Sequence, residues 1–174
     1  MTGKVHFFGH SGNGVKTVKI AITFLLAILF QFLLSAGTLE GRVVRVSYGD
    51  TITLLDAANA QSKIRLNGID APEKSQAFGE ASRQNLARYI AGKSVRVEWK
   101  KRDRYGRILG TIFIDDLDVN LQQLKDGFAW HYKQFDSNPV YSAAETTARN
   151  DRKGLWGDPH PVEPWAFRKA KKVR

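Results

Sequence analysis

Between residues 39 and 114, apolar and polar side chains alternate in five short runs, and this pattern limits the chain more than any other feature. Runs 39–47, 51–56, 62–67, 94–100 and 107–114 are each of strand length, and several are rich in β-branched residues. Tyr48-Gly49-Asp50 is a turn sequence that closes the first two runs into a hairpin. In the third run Ile64 and Leu66 share one face, while Lys63, Arg65 and Asn67 take the other. Apolar spacing predicts a helix over residues 76–91, stopped by Gly92. A short helix capped by Asp118 or Asn120 follows and ends at Gly127, and a third runs from Pro139 to Arg152. Beyond Trp156, three prolines predict a segment extended over the surface and then frayed. Five short strands with a helix after the third describe a closed β-barrel with helices, an α+β arrangement. The best-known solution of that size is the five-stranded OB-fold, whose strand face commonly binds nucleic acid.

Charge narrows the partners. The chain holds 27 Lys+Arg against 17 Asp+Glu, a formal +10, which points to nucleic acid or to an acidic membrane surface. It has no cysteine, so a disulfide framework, a thiolate zinc site and a Cys nucleophile are excluded. His6, His10, His131 and His160 lack ligand spacing. Residues 1–36 carry three lysines (Lys4, Lys16 and Lys19) and no acid, so most of the basic excess belongs to residues 37–174. Residues 20–36 form a seventeen-residue run without charge, preceded by Lys16 and Lys19. As a hydrophobic helix that run would reach about 26 Å, slightly short of a ~30 Å hydrocarbon layer. A positive flank, an apolar stretch and the small Ser35-Ala36-Gly37 fit a secretory signal peptide, and an uncleaved single-pass anchor fits as well. Either reading places residues 38–174 outside the cytoplasm, periplasmic, secreted or membrane-anchored, because the positive flank stays inside. The only membrane contact expected is through this segment, and the expected state is a monomer.

Two acidic turns flank the second and third runs. If those runs form a meander, Asp50, Asp70 and Glu73 converge at one rim of the barrel. Hard oxygen ligands of this kind suit Ca2+ or Mg2+. Gly-Asp and Asp-Ala-Pro are also ordinary turn sequences, so each acid taken singly says little. Arg65 and Arg107 add weight, because a guanidinium matches a phosphate with two parallel hydrogen bonds. Two arginines, a hard cation and a free carboxylate are what phosphodiester hydrolysis requires: cations offset charge growing on phosphorus, and the carboxylate orients or deprotonates water. Other constellations are weaker. Asp115, Asp116 and Asp118 read as a solvated turn and cap. His131 lies near Ser and Asp without a Gly-x-Ser-x-Gly elbow. The basic tail reads as solvated, or as a binder of polyanions.

Tyr48-Gly49-Asp50-Thr51, the block from Arg65 to Glu73 (RLNGIDAPE) and Asp103-Arg104-Tyr105-Gly106-Arg107 resemble the three signature blocks of the staphylococcal nuclease (thermonuclease) family. The likeness spans residues 38–157, leaving 1–37 as signal or anchor and 158–174 as a basic, Pro-containing tail. The resemblance implies an OB barrel with three helices and a Ca2+-dependent nuclease acting on DNA and RNA with limited sequence preference. It matches Asp50 and Asp70 to calcium carboxylates and Ala71 to a residue whose carbonyl binds the ion. Ala71 stands where Thr is more familiar, and Tyr48 stands where the best-known member has an acid. Glu73 matches the general base or water-positioning residue. Arg65 and Arg107 match the phosphate-binding pair, and Arg104 and Tyr105 a block near the nucleotide's phosphate end. Tyr132, within Trp130-His131-Tyr132, lies where base-stacking tyrosines are expected, and Trp130 reads as core. The competing reading is a non-catalytic OB module that binds nucleic acid. A degenerate module would be expected to lose some of the acids or arginines, and all five are present.

Overall fold

In the computed structural model, which describes Gly3 and residues 37–172, the five alternating runs become the long strands of one sheet. The strands are β1 (Gly37–Tyr48), β2 (Thr51–Leu55), β3 (Gln61–Leu66), β4 (Ile69–Asp70), β5 (Ser94–Arg102), β6 (Ile108–Ile114), β7 (Leu117–Asp118) and β8 (Trp130–His131). The sheet runs β3-β2-β1-β5-β6-β7, and a parallel pairing of β3 with β6, Ile64 opposite Ile108, closes its first five strands into a barrel. Tyr48 faces Thr51 across a two-residue turn at Gly49-Asp50, as the hairpin sequence predicts. Ile52, Leu54, Ile64, Leu66, Val97 and Ile112 are buried inside. Each such side chain contributes about 1.5–3 kcal/mol, which sets register firmly, because a one-residue slip would turn all of them outward. The apolar run at 20–36 and its cleavage point lie outside the described residues.

Among the described residues four α-helices accompany the barrel: α1 (Gly79–Ile90), α2 (Val119–Lys125), α3 (Pro139–Asn150) and α4 (Pro164–Lys172). α1 buries Leu86 and Ile90 but begins three residues later than its apolar spacing predicts. Phe78 takes a left-handed φ of 63°, and the amides of Gln76 and Gly79 are spent on the carbonyls of Glu73 and Gln76. Asp118 is the cap of α2, accepting the Leu121 N–H at 2.9 Å. Asn120, the other candidate cap, is buried and does something different. Its Nδ2 donates to the Asn67 and Gly110 carbonyls and its Oδ1 accepts the Ile112 N–H, so it pins α2 across the β3–β6 seam. α3 starts at Pro139 behind an Asn138 cap.

The C-terminal segment departs from expectation. Residues 158–163 carry no regular helix, but α4 follows and docks on the domain. Pro164 opens this helix, a position where a fixed φ is an advantage. The indole of Trp165 stacks on the Tyr132 ring, 5.2 Å between centroids and 2° between planes, and meets Trp130 edge-on at 5.7 Å. Trp130 is buried with Leu155 and Trp156.

Candidate active site

The β1–β2 turn holds its shape because α1 and α2 press on it. Gln123 Nε2 donates to the Gly49 carbonyl at 2.8 Å, and the Leu66 N–H donates to the Asp50 carbonyl at 2.8 Å. Position 49 has no room for a side chain, since a Cβ would fall 1.8 Å from Ser82 Oγ and 2.9 Å from the Ala71 Cβ. The Asp50 carboxylate, on a residue 6% exposed, accepts the Thr51 hydroxyl on Oδ1 and the Ala71 N–H on Oδ2, both at 2.8 Å. Arg65 spans the β3–β4 turn. Its Nη1 donates to the Leu66 and Ile69 carbonyls at 2.7 Å, while Nη2 lies 2.8 Å from Asp70 Oδ1 and 3.1 Å from Asp50 Oδ2. One guanidinium thus joins both aspartates.

A second guanidinium completes the cluster, and it comes from α4. Arg168 Nη2 donates to Asp70 Oδ2 at 2.8 Å, and Nη1 donates to Asp70 Oδ1 at 3.2 Å and to Glu73 Oε1 at 2.8 Å. Burial raises the Asp70 carboxyl above the usual range, and the bonds from Arg168 and Arg65 offset only part of that. For Arg168, burial works against the charge, but the bonds to Asp70 and Glu73 outweigh it and keep the guanidinium protonated. The three carboxylates sit in one linked cluster, Asp50 joined to Asp70 by Arg65 and Asp70 joined to Glu73 by Arg168. Glu73 turns to Arg168, and among the described residues no group of three or more His, Asp or Glu is gathered to hold a metal. Three carboxylates still face only two guanidinium groups, leaving surplus negative charge beside buried, hard oxygen donors. Asp50 and Asp70 are hard oxygen donors of the kind a divalent ion takes, and in this structure each of their carboxylate oxygens is engaged by a protein donor.

Arg107 is held elsewhere. In the turn that joins β5 to β6 its Nε donates to Asp103 Oδ2 at 2.7 Å, and Asp103 Oδ1 accepts the Tyr105 and Arg107 N–H groups. No hydrogen bond or ion pair joins it to Asp50, Asp70 or Glu73, and its Nη groups have no hydrogen-bond partner among the described residues. Burial alone would raise the Asp103 carboxyl, but the bonds from Arg107 and the Tyr105 amide outweigh it and hold it below the usual range. Arg104 Nη2 donates to the Tyr105 hydroxyl at 2.7 Å, and Tyr105 is 69% exposed. Tyr132, expected to stack on substrate, is engaged within the protein by Trp165 on its face and Phe135 on its edge. His131 does lie between Asp136 (2.8 Å) and Ser142 (3.0 Å), but the residue is 2% exposed and Ser142 sits inside α3, so these bonds tie the 132–138 loop to that helix. Arg168, Gln76 and Gln123 went unseen in the sequence. For Arg168 the available signal was Pro164-Trp165 three residues ahead of an arginine.

Comparison with known proteins identifies the family of the chain. The family model described as "Staphylococcal nuclease homologue" matches residues 63–158, which include Arg65, Asp70, Glu73 and Arg107. A Haemophilus influenzae protein named "Uncharacterized endonuclease" is 42% identical over 158 residues, covering 89% of this chain and 88% of that protein. An Escherichia coli protein of the same name is 42% identical over 148 residues, 84% of this chain and 96% of that one. A "Probable staphylococcal-like nuclease" of Oryza sativa subsp. japonica is 42% identical over 110 residues, 63% of this chain and 33% of its own length.

Proposed function

Because the chain belongs to the staphylococcal nuclease family, we propose that it is a Ca2+-dependent nuclease that hydrolyses phosphodiester bonds of DNA and RNA with limited sequence preference. The observation that carries this reading is the buried Asp50–Arg65–Asp70 network with Glu73 at its edge. Asp50 and Asp70 would hold the ion, with the Ala71 carbonyl as a third donor. When bound, it would supply Lewis acidity at a phosphoryl oxygen. Glu73 orients the attacking water or takes its proton. Arg65 donates three hydrogen bonds to the protein, pairs with Asp50 as well, and brings fixed positive charge next to the acids, offsetting charge that grows on phosphorus. Arg107 keeps both Nη groups for a phosphate fork and for the leaving oxygen, and Arg104 and Tyr105 extend the grip along the strand. The uncharged run at 20–36 behind Lys16 and Lys19 supports export of a monomeric nuclease, released or anchored.

The test incubates the full chain with supercoiled plasmid and with RNA, in Ca2+, in Mg2+ and in chelator, beside Glu73→Gln. Cleavage of both polymers is expected with Ca2+ and none with chelator, and Glu73→Gln should slow it by roughly 10^2–10^4-fold. Salt-sensitive binding without cleavage under every ion would instead identify a nucleic-acid-binding module.

A further inference from the structure

Glu73 has little in its own connection to hold its carboxylate. It lies in the 71–78 connection, outside any strand or helix, and among the described residues its carboxylate has one side-chain partner, Arg168. A glutamate with three free side-chain torsions cannot hold a water in line by itself, and a displacement of about 1 Å at a reacting group costs on the order of 10^2-fold in rate.

The C-terminal segment grips this turn at two points. The Glu73 N–H donates to Gln76 Oε1 at 3.1 Å, and Gln76 Nε2 donates in turn to the Val162 carbonyl at 2.6 Å. Six residues later Arg168 takes the Glu73 carboxylate with Nη1 while its two Nη groups clasp Asp70 on β4. Behind it, Trp165 is stacked on Tyr132 and set against Trp130 of β8, the strand that pairs with β4. The helix is thus fastened to the strand pair that presents Asp70, and it transmits that position to Glu73.

We propose that Arg168 is a positioning residue of the active site and that α4 belongs to the catalytic domain: Arg168 fixes the Glu73 carboxylate relative to Asp70. The inference rests on the reading of Glu73 as the group that prepares water. A planar fork can hold two carboxylates in a set relation, which an ammonium cannot.

The test is a double-substitution cycle in the full chain, with kcat and KM measured on plasmid and on RNA and folding followed by circular dichroism and thermal unfolding. Arg168→Ala lowers kcat roughly 10–100-fold, the scale seen when a group that orients an active-site ligand is lost, and leaves KM within about twofold. In a Glu73→Gln background the same change slows hydrolysis by less than about twofold, because the residue it acts through is already disabled. Arg168→Lys retains part of the rate, and millimolar guanidinium ion restores part of it to Arg168→Ala. A merely structural role would instead cost the same factor in both backgrounds and lower the unfolding temperature with it. Equal losses in the two backgrounds, an unchanged kcat, or faster cleavage without the side chain each overturn the proposal. A silent Arg168→Ala beside a slow Glu73→Gln defeats this inference alone, whereas a silent Glu73→Gln removes the water-preparing role of Glu73 and this inference with it.

Discussion

The acid–arginine cluster and the β5–β6 hairpin are built from the same kinds of side chain and use them in opposite ways. In the cluster, Asp70 is 1% exposed, Arg65 donates three hydrogen bonds and pairs with Asp50, and each carboxylate meets a guanidinium. In the hairpin, Tyr105 stands in solvent, and Arg107 spends only its Nε while both Nη groups are left over. The Asp50–Arg65–Asp70 charges are buried and so are costly to separate, whereas the half-buried Arg107–Asp103 pair is open to solvent and contributes less to stability. The protein itself thus holds the cluster fixed, whereas the hairpin leaves both Arg107 Nη groups without a protein partner among the described residues.

The contrast breaks first, if it is wrong, at Arg65. Arg65→Ala leaves two buried aspartates short of a partner, so urea unfolding should show a loss of about 3–5 kcal/mol, and cleavage should fall by roughly 10^2–10^3-fold or more. A loss under about 1 kcal/mol would mean that the cluster behaves like a surface ion pair. Next comes the turn beneath it. Gly49→Ala should cost about 1–3 kcal/mol by overpacking against Ser82, and Ser82→Ala should return part of that, as read by the unfolding midpoint of the double variant.

The hairpin should give the reverse pattern. Arg107→Lys is expected to lower kcat/KM by about 10-fold or more, because an ammonium lacks the fork, while stability moves by less than about 1 kcal/mol. Tyr105→Ala should leave unfolding within about 0.5 kcal/mol and weaken binding of a single-stranded oligonucleotide by about 1 kcal/mol. The smallest effect concerns pH. Asp103 is held below the usual carboxyl range in the folded chain, so the stability it contributes is present above its unfolded value of 3.8 and is lost as pH falls through the lower, folded value. Unfolding curves of the wild type and Asp103→Asn should differ near pH 5 and converge in strong acid.

How much of this was legible depends on the range of each interaction. The barrel strands announce themselves because apolar-polar alternation is local, and the Gly49-Asp50 turn because its residues are the ones a tight hairpin needs. The choice between Asp118 and Asn120 as cap was not legible, since it depends on which of them meets the β3–β6 seam. The approach of Asp50 to Asp70 could be argued from the meander but not the Arg65 bridge between them, and Glu73 is tied to Asp70 by a partner 95 residues away. α4 was hidden for two reasons. Pro159, Pro161 and Pro164 read as extended chain, and the docking of Trp165 and Arg168 rests on side chains remote in sequence.

The most direct measurement separates binding from turnover in the two regions. With the full chain, affinity for a DNA oligonucleotide is titrated in chelator, and single-turnover cleavage is then followed after adding Ca2+, for Glu73→Gln and for Tyr105→Ala. The account predicts wild-type affinity with a rate lowered by roughly 10^2-fold or more for Glu73→Gln, and weaker affinity with a nearly normal saturated rate for Tyr105→Ala. Loss of affinity in Glu73→Gln with an unchanged saturated rate would contradict it.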